Sequence, residues 1–181
     1  MYCRNCGKPL GHTFLDLGYA PPSNAYLSPK DLNGPEVYYP LKLKVCDNCW
    51  LVQTEDYAEA DALFTEDYAY FSSTSSGWLK HSRSYASKIT KDLSLNHESL
   101  VIEVASNDGY LLKNFVESGI PCLGIEPTHA TAEVARAKGI ETIERFFGEA
   151  LAKDLEQADL IIANNVLAHV PDINDFVAGI A

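Results

Sequence analysis

The chain has 181 residues, of which 14 are Lys or Arg and 25 are Asp or Glu, giving a formal net charge of −11. A chain this acidic repels a phosphate backbone, which counts against nucleic acid or an anionic membrane surface as a partner. With 46% hydrophobic and 22% charged residues it reads as a core-forming globular protein. No apolar run approaches the roughly 18–20 residues of a membrane span. The opening Met1-Tyr2-Cys3-Arg4-Asn5-Cys6 lacks the apolar stretch of a secretory signal, so a soluble, cytoplasmic protein is expected.

Four of the cysteines form two matched Cys-x-x-Cys pairs, Cys3/Cys6 and Cys46/Cys49. Two residues between thiols let both sulfurs converge on one ion, and Gly7 permits the left-handed backbone of such a knuckle. Two knuckles supply four thiolates, enough to close a tetrahedral structural zinc site with no open position for chemistry. A pair of redox dithiols is the competing reading, without a thioredoxin-like context to support it. Cys122 stands apart, in a strand context.

Between the pairs, turn formers abound: Leu17-Gly18-Tyr19-Ala20-Pro21-Pro22-Ser23-Asn24, then Asn33-Gly34-Pro35. Alternation over 38–45 predicts a strand running into the second knuckle, with 50–53 as its hairpin partner. A four-cysteine zinc-binding module is therefore expected over residues 1–60.

An aromatic stretch follows, in which Tyr68, Tyr70, Phe71 and Trp78 flank a run of hydroxyl side chains at 72–76. It reads either as a hydrophobic plug ending in a Ser N-cap or as a ligand-facing rim, since a plug would leave many hydroxyls to satisfy. Trp78, Ser82, Tyr85, Ala86, Ile89 and Leu93 recur at helical spacing, which predicts an amphipathic helix over about 75–93. Residues 61–96 are thus an aromatic entrance and a connecting helix.

From residue 97 onward, strands alternate with helices. A buried-type strand at 100–105 is followed by a turn and a helix whose apolar face is Leu111, Leu112, Phe115 and Val116, ended by Gly119. A strand at 121–126 leads through Pro127-Thr128 into a helix reaching Ala137, and 159–164 is a later strand. This order predicts an α/β fold with right-handed crossovers onto a parallel sheet and a ligand at the carboxyl ends of the strands. The residues there are Ala105, Ser106, Asn107, Asp108 and Gly109 in the first turn and Glu126 at the second strand tip. An acid at that tip can accept both ribose hydroxyls of an adenosine, and small residues in the turn let the backbone approach a ligand. Gly-x-Gly-x-x-Gly is absent, so a pyrophosphate fits poorly. A nucleoside with an aminoacyl tail, such as S-adenosylmethionine, needs less glycine. Glu103, between Ile102 and Val104 in a buried run, reads as part of the site or as a strand-edge solubility charge.

Several segments in order now carry a resemblance. They are the four-cysteine module, Tyr68-Ala-Tyr-Phe-Ser-Ser73, Val101-Ile-Glu-Val-Ala-Ser-Asn-Asp-Gly-Tyr-Leu-Leu112, Gly124-Ile-Glu-Pro127 and Ala163-Asn-Asn-Val-Leu-Ala-His-Val-Pro171. Together they resemble the deoxysugar C-methyltransferases, S-adenosylmethionine-dependent enzymes acting on nucleotide-linked 4-keto sugars. The Ala105–Gly109 turn departs from the glycine-rich methyltransferase motif but is similar to this subfamily's own version.

The resemblance implies a Rossmann-like, class I methyltransferase domain over 97–181. It implies proton abstraction next to a ketone, giving an enolate that attacks the sulfonium methyl group in line. Cofactor contacts are expected from Tyr70, Phe71, Glu103, the 105–109 turn, Glu126, Pro127, Phe146, Asn164, Asn165 and Val166. His169, the only histidine read at a strand end of the sheet, is the candidate base, with a satisfied structural histidine as the alternative. Tyr68 and Tyr70 would touch the substrate or lie against the cation.

Members of this family are longer and carry a further α/β domain. The parallel sheet is therefore expected to be incomplete, and the chain a truncated protein or partial gene, inactive by itself; a compact natural variant is the alternative. Two other functions stay open: a non-catalytic zinc-ribbon and nucleotide-binding interaction module, and a methyltransferase for an O- or N-acceptor. Oligomeric state is not legible.

Overall fold

The computed structural model describes residues 1–23, 26–57 and 70–181. The chain divides into two compact units, Met1–Tyr68 with Pro171–Asn174 and Ala69–Val170 with Asp175–Ala181.

In the first unit, β1 (His12–Ala20), β2 (Tyr39–Val45) and β3 (Val52–Thr54) form an antiparallel sheet in the order β1-β2-β3. Leu43 pairs with Thr54 and Val45 with Val52, so the second cysteine pair forms the turn of the β2–β3 hairpin. The strand β1 departs from expectation, because Leu17-Gly18-Tyr19-Ala20 reads as a turn and instead completes a nine-residue strand. Gly18 accounts for both readings. It has a φ of 80°, the register shifts between Asp16 and Tyr19, and the Asp16 carboxylate accepts the Gly18 N–H at 3.0 Å. The local turn chemistry is consumed in an irregularity of the strand, which the pairing with β2 overrides.

The second unit begins with α1 (Ser76–Leu93), capped by the Ser75 hydroxyl, which accepts the Trp78 N–H at 3.2 Å. Then come β4 (Val101–Val104), α2 (Lys113–Val116), β5 (Cys122–Ile125), α3 (His129–Ala137) and β6 (Glu141–Ile143). They are followed by α4 (Glu149–Ala152), β7 (Leu160–Ile162) and α5 (Ile173–Ile180). The four strands are parallel in the order β6-β5-β4-β7. Counted from β4 this is 3-2-1-4, the doubly wound order, with its change of direction between β4 and β7.

Because side chains alternate along a strand, β4 feeds two cores. Val101 faces Leu111, Leu112, Phe115 and Ile140, against which Trp78, Tyr85 and Ile89 of α1 pack. Ile102 and Val104 face Ile125, Leu151 and Phe176, and Phe147 meets Phe176 edge-on at 5.5 Å. Helical spacing predicts apolar faces that include Leu93 and Val116, yet both are exposed. Each is the last residue of its helix, and periodicity gives the direction of a face without saying where the covering element ends. Among the described residues no helix is long and apolar enough to cross a membrane.

Candidate functional site

Two places gather functional side chains. In the first unit, Cys3, Cys6, Cys46 and Cys49 bring their sulfurs within 4.8 Å of one another. Cys3 lies 3.5 Å from Cys49 and Cys6 lies 3.6 Å from Cys46, sulfur to sulfur. Four thiolates around a zinc ion at about 2.3 Å would stand about 3.8 Å apart, so the donor set fits that ion.

The two knuckles are built alike. The Gly7 N–H donates to the Cys3 carbonyl and the Trp50 N–H to the Cys46 carbonyl, each at 2.9 Å. Gly7 has a φ of 68° and Trp50 a φ of 63°. The second position is one where the sequence offers no glycine, and a tryptophan carries the strain. The Leu51 N–H lowers the Cys49 thiol to about 6, and the Lys8 N–H lowers that of Cys6. Burial pushes the Cys3 thiol up to about 11. A bound dication is what would ionise that buried thiol at neutral pH.

The second place is the carboxyl edge of the parallel sheet. Pairing of Val104 with Ile125, Glu103 with Ile162 and Ile125 with Ile143 sets the four strand ends side by side. This brings together the 105–109 turn, Glu126-Pro127, and the segments that leave β6 and β7. Within the turn, Ala105 and Asn107 adopt φ of 55° and 51°, and Gly109 a φ of 72°. A Cβ on Gly109 would come within 2.2 Å of the Ile140 side chain, so this turn packs directly on the end of α3.

Glu126 is buried, and its oxygens accept the backbone N–H groups of Asn107 and Thr128, both at 2.9 Å. The acid expected at the second strand tip therefore also braces the turn of the first strand. Asn107 reaches in the other direction. Its side-chain oxygen accepts the Ser72 N–H at 2.8 Å, and its amide donates to the Tyr70 carbonyl at 3.0 Å. Tyr70 and Phe71 are thus fixed against the turn with Tyr70 half exposed, a position that matches a rim. Ser72 is buried as a plug residue would be. Tyr68 lies outside the described residues.

Glu103 is fully buried, which removes the reading as a strand-edge solubility charge. Neither of its carboxylate oxygens has a hydrogen-bond partner. Burial holds this carboxyl well above the usual range; the Tyr110 hydroxyl lowers it, and the charges of Glu126 and Asp108 raise it further. Burial likewise raises the Tyr110 hydroxyl, which accepts from the Asn164 amide at 3.4 Å. The Ser106 hydroxyl and one Asp108 oxygen are also buried without a partner. Unmet hydrogen-bonding capacity thus collects at the end of β4, where a polar ligand could use it.

The remaining candidates sit on the same edge but are open. Asn164 and Asn165 follow β7 and are exposed, with Val166 half-buried, and Phe146 follows β6 and is half exposed. His169 is expected at a strand end; it lies instead in a 3-10 turn at Leu167–His169, seven residues past the end of β7, and is exposed. The residue that sequence reasoning missed is Lys138, whose ammonium contacts both the 105–109 turn and Ser73. Nothing in its local sequence, the last turn of a helix, marks it out.

Residues 3–64 match a family described as "Putative zinc binding domain", and residues 78–181 match one described as "Methyltransferase domain". The chain is 31% identical over 183 residues to C-methyltransferase NovU of Streptomyces niveus, an alignment covering 99% of this chain and 43% of that protein. It thus spans less than half the length of that relative. Among solved structures it is similar to the magnesium protoporphyrin IX methyltransferase ChlM of Synechocystis PCC 6803 with bound SAM. That likeness has 17% identity and a TM-score of 0.48, and covers 57% of this chain and 53% of the other. The YcgJ protein of Bacillus subtilis gives 20% identity and a TM-score of 0.43, over 56% of this chain and 44% of the other.

Proposed function

Because the chain belongs to the methyltransferase domain family, we propose that the protein is an S-adenosylmethionine-dependent C-methyltransferase acting on a nucleotide-linked 4-keto deoxysugar. The observation that carries this reading is the 31% identity to a C-methyltransferase along 99% of the chain. The buried acid and left-handed turn at the carboxyl edge of the sheet support it.

S-adenosylmethionine supplies an electrophilic methyl group on a sulfonium, and the protein's task is to hold it in line with a carbon nucleophile. Glu126 is assigned to the ribose hydroxyls. The N–H groups of Asn107 and Thr128 fix its carboxylate, and each oxygen keeps a second lone pair for the ligand. The 105–109 turn takes the aminoacyl tail, with the unpartnered oxygens of Ser106 and Asp108 beside it. Phe146 walls the adenine, and Asn164, Asn165 and Val166 border the cleft across the change of strand direction. Tyr70 and Phe71 are assigned to the cofactor, and Tyr68 and Tyr70 to the substrate or the face of the sulfonium cation. His169 is assigned as the base that removes the proton next to the ketone, leaving an enolate. Zinc takes no part in these steps; it holds the first unit.

Calorimetry with S-adenosylmethionine tests the placement. Glu126→Ala removes a charged acceptor worth roughly 1.5–3 kcal/mol per bond made, so affinity should fall at least about tenfold. Equal affinities would refute the assignment. The substrate class is tested by incubating this chain, and a form extended to the length of its relative, with S-adenosylmethionine and a nucleotide-linked 4-keto deoxysugar, followed by carbon NMR. A new C-methyl resonance is expected from the longer form and little or none from the 181-residue chain. An O- or N-methyl product would move the reading to another acceptor, and no cofactor binding at all would leave an interaction module.

A further inference from the structure

We infer that Lys138 is a positioning residue for the cofactor cleft: it latches the aromatic strap at 70–74 onto the 105–109 turn, so that strap and turn are ordered together. The inference rests on the cofactor reading above and goes beyond it by assigning a residue outside the strand ends.

Three segments distant in sequence meet at this ammonium. Lys138 donates to the Ser73 hydroxyl at 3.1 Å and to the Asp108 carbonyl, and pairs with the Asp108 carboxylate at 3.4 Å. The same carboxylate oxygen accepts the Ser73 N–H at 3.3 Å. Asp108 is only 2% exposed, so Lys138 is the cation that compensates a buried charge. Next to it, Asn107 holds the Ser72 N–H and the Tyr70 carbonyl. The Asn107 and Asp108 contacts join the strap to the turn directly, and Lys138 bridges the two from the end of α3.

The fold explains why a lysine at this position can reach. Lys138 is the C-cap of α3, and Gly139 follows in the left-handed conformation, with a φ of 80°. A Cβ on Gly109 would lie 2.2 Å from Ile140 and 3.3 Å from that of Ala135, so the end of α3 rests on the turn itself. An ordinary C-terminal lysine faces solvent beside the last carbonyls. This one turns inward, and its side chain is 29% exposed. On its other flank the strap runs into Ser75, the N-cap of α1. The aromatic pair Tyr70-Phe71 is therefore anchored from the turn side by Asn107, Asp108 and Lys138. Losing the ammonium frees the strap there.

The experiment compares wild type, Lys138→Met, Ser73→Ala and the double variant by hydrogen–deuterium exchange and by calorimetry with S-adenosylmethionine. In Lys138→Met, exchange at 71–75 should rise about tenfold while β4 and β5 stay protected, and cofactor affinity should fall about tenfold, the factor for one charge-assisted hydrogen bond. Ser73→Ala should change both in the same direction and less, and the double variant should be no weaker than Lys138→Met, because one latch is broken twice. Should Lys138→Met fail to fold, Ser73→Ala decides by the same two readouts. Unchanged strap exchange in the variants overturns the latch. Freed exchange with unaltered affinity overturns the positioning role. A wild type that does not bind S-adenosylmethionine overturns the cofactor reading and the positioning role with it, while the exchange data still decide whether the latch exists.

Discussion

Among the described residues of the first unit, the only buried apolar side chains are those of Cys3 and Cys46, and the buried polar one is Gln53. Phe14, Leu17 and Tyr19 of its longest strand are exposed. The second unit buries Leu111, Leu112, Phe115, Ile125 and Ile140 to 1% or less on the two faces of β4. The same chain thus contains a module whose centre is a set of metal donors and one whose centre is packed hydrocarbon. Metal binding can supply on the order of 10 kcal/mol from four side chains, whereas apolar burial needs many residues to reach as much. Each unit is therefore vulnerable in its own way: the first to chelation and acid, the second to a cavity.

The largest effect should come from removing zinc. A chelator, or Cys46→Ser, should cost the first unit on the order of 10 kcal/mol and unfold β1–β3. Hydrogen exchange should show β4 and β5 still protected, and elemental analysis should show Cys122→Ser with its metal intact. Loss of protection in β4 on chelation would show that the two units fold as one.

Phe115→Ala is the reverse experiment. Phe115 is fully buried, and its truncation should cost about 3–5 kcal/mol in chemical denaturation of the second unit. Zinc content should not change.

Glu103→Gln sharpens the contrast by pH. The folded protein holds this carboxyl protonated above its unfolded range, so it contributes full stability at acid pH and loses it as the pH rises through the raised value. The variant has nothing to ionise there. It should match wild type at acid pH and become the more stable of the two as the pH rises. Melting curves across pH that run parallel would contradict the buried, unpartnered state of Glu103.

Smallest is Trp50→Gly. A left-handed tryptophan costs about 1–2 kcal/mol, and part of the gain from glycine is returned in chain entropy. A net stabilisation of about 0.5–1 kcal/mol is expected in the metal-bound first unit. Trp50→Ala, which keeps the strain, should not show it. Slower zinc release to a chromogenic chelator is the measurement.

Much of this was legible in the sequence, for local reasons. The cysteine spacing, the Ser75 cap, the alternation into the second knuckle and the run of strands and helices from β4 to β7 are each written within a few residues. Those signals carried the metal centre, the fold class and the carboxyl edge. Where local signals point both ways, they misled. Gly18 and its neighbours carry turn chemistry, yet pairing with β2 makes them strand. His169 follows a strand in sequence but not at the strand's end in space.

Tertiary structure alone decided the rest, because it concerns pairs far apart along the chain. Glu126 reads as a ligand for ribose, and only the folded chain shows it bracing Asn107 as well. Asn107 and Asp108 read as cofactor residues, and only the fold shows their side chains holding the strap. Lys138 carried no signal at all. Its role exists because Gly109 lets the end of α3 settle on the turn, 30 residues away in sequence, and bring an ammonium to a buried carboxylate. Residue types and spacing set which groups the chain offers; long-range packing sets which of them meet.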